Sequence, residues 1–170
     1  MSGGPGKLGA LLALPLAALV STPAPAATAS ATVNASVIRP VTFTASGSLN
    51  FGTIVINTLT ANRTVTLSPA NVLTCGGTSE LICSGATSIP TYNVQGTNKQ
   101  VFTINKTPSM LTNSLNGSTL TLTPIGPASV TLTNSGAPGN DFTIGGSIVI
   151  TPTTGEGVYT GVVNVTVEYQ

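Results

Sequence analysis

Hydrophobic and polar positions of this 170-residue chain alternate at period two over short runs that recur along most of its length. In the last run Tyr159, Val163, Val165, Val167 and Tyr169 share one parity, with Thr160, Asn164, Thr166 and Glu168 on the other. Side chains alternate across a strand, so this pattern predicts one buried and one wet face. Strand-like runs also fall at 33–37, 41–44, 49–56, 65–67, 92–94, 101–104, 120–122, 130–132 and 142–150. Turn signals lie between them at 68–71, 116–117, 134–136 and 138–141, each built from Ser, Pro, Asn, Asp or Gly. No i, i+3, i+4 pattern survives after the apolar N-terminal segment. The spacing predicts an all-β antiparallel sandwich forming a single domain over residues 39–170.

Composition narrows the function. Charged residues make up only 5% of the chain, yet no later stretch reaches the roughly 18 apolar residues that a spanning helix needs. No membrane span is therefore expected in the mature chain. Disorder is disfavoured as well, because the chain is rich in β-branched residues and nearly neutral. The five bases, Lys7, Arg39, Arg63, Lys99 and Lys106, are too few and too scattered to line a phosphate track, which argues against nucleic acid. There is no His, and the only acids are Glu80, Asp141, Glu156 and Glu168. A carboxylate pair could be assembled from these, but nothing singles one out, and the many Ser and Thr lack an evident partner base. The chain is expected to have no catalytic residue, no metal site and no cofactor.

The N-terminus reads as an export signal. Lys7 precedes an apolar core from Leu8 to Val20, and Ala24-Pro25-Ala26 offers the small residues a signal peptidase accepts. The signal is placed at residues 1–26, with cleavage after Ala26 or one residue later. An N-terminal anchor is the competing reading, opposed by the short core and by Pro15 and Pro23. In an exported chain, the pair Cys75 and Cys83 reads as a disulfide. Closing so short a loop stabilises by roughly 2–3 kcal/mol. Two Cys without His are too few for a metal site, and the spacing is wider than in a C-x-x-C redox pair.

Residues 27–38 follow the expected cut. Ala29, Ala31, Val33, Ala35 and Val37 occupy one parity, Thr28, Ser30, Thr32, Asn34 and Ser36 the other, and Pro40 closes the run. This is either an arm free to pair elsewhere or the first strand of a self-complete sandwich. The second option would leave a secreted domain that binds a ligand such as a carbohydrate, or a surface-coat component. A sugar site normally offers an exposed aromatic for stacking, and Tyr92 is the aromatic expected to be most exposed.

Four features carry a family resemblance: the terminal strand with an aromatic next to last, the Leu49-Asn50-Phe51-Gly52 run, the single disulfide expected of Cys75 and Cys83, and the alternating N-terminal segment. Together they resemble pilin subunits of the chaperone–usher route and the related spore-coat-U-type secreted domains. The Gly/Thr-rich layout also resembles a bacterial secreted family catalogued only as a domain of unknown function. The pilin resemblance implies an incomplete immunoglobulin-like antiparallel sandwich whose missing strand comes from a neighbour. Residues 27–38 would be the donor strand, inserting Ala29, Ala31, Val33, Ala35 and Val37 into the next subunit. Tyr159, Val163, Val165, Val167 and Tyr169 would form the last strand beside the acceptor groove. The chain would be a homopolymeric cell-surface filament subunit of a pilus or fimbria, serving adhesion. A periplasmic chaperone and an outer-membrane usher would handle it during export, the chaperone anchoring the carboxylate of Gln170.

Overall fold

The computed structural model describes residues 26–77 and 79–170, so the expected signal peptide lies outside the described residues except for Ala26. The chain divides into two units, residues 1–35 and 36–170. Residues 26–35 of the first unit contain no strand and are exposed throughout. The second unit holds fourteen strands and, among the described residues, no helix. In chain order the strands are β1 (Thr42–Ser46), β2 (Thr53–Ile56), β3 (Arg63–Leu67), β4 (Leu73–Cys75), β5 (Leu81–Ser84), β6 (Thr91–Gln95) and β7 (Val101–Thr107). There follow β8 (Ser109–Asn113), β9 (Thr119–Ile125), β10 (Ser129–Thr131), β11 (Asn140–Thr143), β12 (Gly145–Ile150), β13 (Tyr159–Thr160) and β14 (Asn164–Tyr169). All pairings are antiparallel. The sheets run β1-β6-β11, β10-β7-β14, β13-β8-β9-β12-β3-β4 and β2-β5. The fold is all-β and sandwich-like.

Alternation decides which residues go inside. In β9, Leu120, Leu122 and Pro124 are buried while Thr119, Thr121 and Thr123 face out. One apolar cluster joins Val94 of β6, Phe102 and Ile104 of β7, and Phe142 of β11, with Val165 and Val167 of β14 packed against it. A second joins Val65 of β3, Leu81 of β5, Leu122 of β9, and Ile148 and Ile150 of β12. The disulfide is present between Cys75 and Cys83, with Cα atoms 5.9 Å apart. It links β4, the margin of the six-stranded sheet, to β5 of the two-stranded one, and the Arg63–Glu80 ion pair ties β3 to the residue just before β5.

The predicted turns form as their residues require. Asn71 adopts a positive φ of 58°, its N–H donating to the Ser68 carbonyl at 2.9 Å. The Ser68 hydroxyl accepts from the N–H of Val72 at 3.2 Å. Three sequence expectations need correction. The 33–37 run belongs to no strand, and Val33 and Val37 are 88% and 90% exposed. Alternation prepares a strand, but a ladder needs a neighbouring edge, and these residues have none. The expected strand at 142–150 divides at Ile144 into β11 and β12, and the one at 159–169 divides after Thr160 into β13 and β14. Tyr92 is buried rather than exposed, its ring clustered with Phe43 (5.5 Å) and Phe142 (5.6 Å), which also pack on each other at 6.1 Å. Register places Phe142 directly opposite Tyr92 across β6 and β11, so the aromatic is interior by pairing.

Candidate functional site

An open groove of about 1100 Å³ runs along one side of the second unit. Residues between Ala45 and Ile56 form one wall, and residues 154–163 form the other. Leu111, Leu120, Leu122, Ile148 and Ile150 form its floor. These floor residues belong to β8, β9 and β12, where alternation turns their side chains inward.

Each wall carries an unpaired backbone edge. β2 pairs only with β5, and β13 only with β8. An unpaired edge is costly in water, since its N–H and C=O groups have only solvent as partner, while the floor residues Leu120, Leu122, Ile148 and Ile150 are themselves buried. The walls are apolar too: Val55, Val158 and Val162 are 47%, 66% and 65% exposed. The charged residue on the groove lining is Glu156.

The Leu49-Asn50-Phe51-Gly52 run builds part of the first wall. Leu49 and Phe51, two apart, both pack against the second apolar cluster. Asn50 forms a bridge with Ser88, and its Oδ1 accepts from the N–H of Gly52 at 2.9 Å. Gly52 has φ +74°, and the Ser84 carbonyl oxygen stands where a Cβ would be. This close backbone approach accompanies the pairing of β2 with β5.

Of the five residues predicted to flank a groove, Tyr159 and Val163 line it. Val165, Val167 and Tyr169 are half-buried and pack against the first apolar cluster instead. The Tyr169 hydroxyl donates to the carbonyl of Arg39 at 2.6 Å and accepts from the N–H of Thr97 at 3.3 Å. The Arg39 N–H in turn donates to the Thr97 hydroxyl at 2.7 Å. Tyr169 and Thr97 thus fix the chain at the point where residues 27–38 join the body. Gln170 is exposed, and its N–H donates to the carbonyl of Val101 at 3.0 Å. Ala29, Ala31, Val33, Ala35 and Val37 are all exposed.

Glu80 accepts hydrogen bonds from Thr60 at 2.8 Å and from Arg63 Nε at 2.7 Å, and these hold its carboxyl below the usual range. Burial raises the Tyr92 phenol. Among the described residues no three His, Cys, Asp or Glu side chains gather as metal ligands, and no helix is long and apolar enough to cross a membrane. What the groove offers is backbone hydrogen-bonding edges above an apolar floor, which is the chemistry of accepting an extended strand. Leu120, Leu122, Ile148 and Ile150 were readable in the sequence as core, but their place beneath a groove was not.

No curated protein and no solved structure matches the chain. Residues 41–169 match the family model described as a domain of unknown function, DUF4402, and the chain belongs to that family.

Proposed function

We propose that the chain is the structural subunit of an extracellular surface filament, a pilus or fimbria, that polymerises by strand exchange. On this reading the body is an incomplete immunoglobulin-like sandwich, and residues 27–38 of one subunit fill the groove of the next. The groove with one unpaired edge on each wall carries the proposal. A strand laid between β2 and β13 would pair on both sides, each main-chain hydrogen bond contributing about 1 kcal/mol net. The arm offers small apolar Ala and Val side chains on one parity to a groove lined largely by apolar residues. Its nine residues from Ala29 to Val37 compare with the ten of the wall at 154–163.

Donation from one copy to the next, repeated without closing on itself, generates an open filament. Its durability would be kinetic, set by slow withdrawal of the strand rather than by affinity. During export a periplasmic chaperone would occupy the groove until an outer-membrane usher exchanged it for the arm. The ligand-binding alternative has less to rest on, since Tyr92, although on the groove lining, is buried.

The test is a gel of surface material sheared from the native host, run in SDS with and without boiling. A ladder that collapses on heating to one band of mature size, and that disappears on deleting residues 27–38, is expected. A single band in both lanes would refute polymerisation by strand donation.

A further inference from the structure

One wall of the groove is the 154–163 segment, and a buried amide on β8 holds the middle of it. Asn113, at the end of β8, is 1% exposed. Its Nδ2 donates to the carbonyl of Glu156 at 2.8 Å, and its Oδ1 accepts from the N–H of Leu115 at 2.9 Å. Its backbone is engaged as well, with Ser118 and Gly117 across the β8–β9 turn at 2.8 and 2.9 Å. One side chain therefore joins the tight turn on its own hairpin to the loop that forms the wall.

The loop is shaped to receive it. Gly157 has φ +138°, and the Asn113 side chain occupies the place where its Cβ would be. No other residue fits there: a methyl group would collide with the amide, and the backbone conformation is strained for any L side chain. Further grips lie on either side. The Ser114 N–H donates to the carbonyl of Val158 at 3.0 Å. The Tyr159 hydroxyl meets the Gly155 carbonyl at 2.9 Å and the Ser118 hydroxyl at 3.0 Å. Glu156, Gly157 and Val158, which this clasp holds, all line the groove.

We infer that Asn113 is a positioning residue for strand acceptance: with Gly157 it clasps the 154–160 loop to the β8–β9 hairpin and so sets the wall against which an incoming strand must pair. The inference rests on the proposed strand-accepting role of the groove. A buried amide costs free energy unless its partners are in place, so the loop has one favoured seat. An incoming strand then meets a preformed edge and need not order the loop first.

The test uses the full chain and a fluorescently labelled peptide of residues 27–38, reading the rate of stable capture, the melting temperature and amide exchange across 154–160. Asn113→Ala and Gly157→Ala are each expected to slow capture about tenfold, the equivalent of roughly one net hydrogen bond. Both should speed exchange in the loop while the strands of the first apolar cluster keep their protection. Because both variants break one clasp, the double variant should lose little more than either alone. Wild-type protein that captures no peptide would overturn the strand-accepting role itself. Wild-type capture with unchanged capture in both variants would overturn the role of Asn113 alone. Capture that falls only in proportion to a lost melting transition would make Asn113 an ordinary core residue and overturn the inference too.

Discussion

Replacing Val33 by Asp tests the proposed donor arm directly. Val33 is 88% exposed and lies in no strand, so the substitution removes no folded-state contact and should leave monomer stability within about 0.5 kcal/mol. In the filament the same side chain would sit on the groove floor. Losing a buried Val forfeits about 1.5–3 kcal/mol, and an unpaired carboxylate taken out of water adds several kcal/mol more. The sum of about 5 kcal/mol or more weakens strand insertion over a thousandfold. Asn34→Asp, one residue along and on the opposite parity, adds the same charge to the face turned toward solvent and should be nearly silent. Both variants would be expressed in the native host and scored by the unboiled SDS ladder, with melting of the purified monomers as control. Loss of the ladder in Val33→Asp but not in Asn34→Asp is expected. Equal ladders in the two, or equal loss, would refute the assignment of arm parity.

Other perturbations probe the body. Replacing both Cys75 and Cys83 by Ala opens a loop with a sequence separation of 8; a loss of about 2–3 kcal/mol is expected, read as a fall in melting temperature of roughly 6–12 °C. Tyr169→Phe keeps the ring on Phe102, 4.3 Å away, but loses the bonds to Arg39 and Thr97; it should cost about 1–2 kcal/mol, visible by denaturant unfolding, and should loosen residues 39–41 to amide exchange. The Glu80 carboxyl is held below its ordinary range by Thr60 and Arg63. Its stabilising contribution is therefore full above the unfolded-state pKa and disappears as pH falls through the depressed folded value. Glu80→Gln should melt lower than wild type at neutral pH, and the gap should close in acid; a gap that widened in acid would contradict the sign.

The legible part of this fold was whatever depends on period and local turn chemistry. β9, with its Thr-Leu-Thr-Leu-Thr alternation, and the Ser68–Asn71 turn follow from a few adjacent residues, as does the disulfide once export is read from the N-terminus. β4, β5 and β8 were not anticipated. The first two are three and four residues long and flank the cysteines, so their pattern is too short to stand out. In β8 the run Ser-Met-Leu-Thr-Asn ends on a polar residue that is buried only because Glu156, more than forty residues later, supplies its partner. Tyr92 was misplaced for a related reason: its burial comes from Phe43 and Phe142 on other strands, which no local window contains. The groove lay further from reach. Sequence marks Leu120, Leu122, Ile148 and Ile150 as inward-facing, but whether something covers them depends on how strands far apart in the chain come together. Val165 and Val167 show the converse, since they share parity with Val163 yet pack on a different cluster from the one beneath the groove.

The most direct test compares amide hydrogen exchange in monomer and in intact filament. In the monomer, residues 29–37 have no ladder partner and β2 and β13 each leave one edge unpaired, so these amides should exchange quickly. Strand donation predicts that the arm and the groove-facing amides of β2 and β13 become protected together in the filament, while β9 and β12 change little. Filaments in which the arm stays as unprotected as in the monomer would contradict the account.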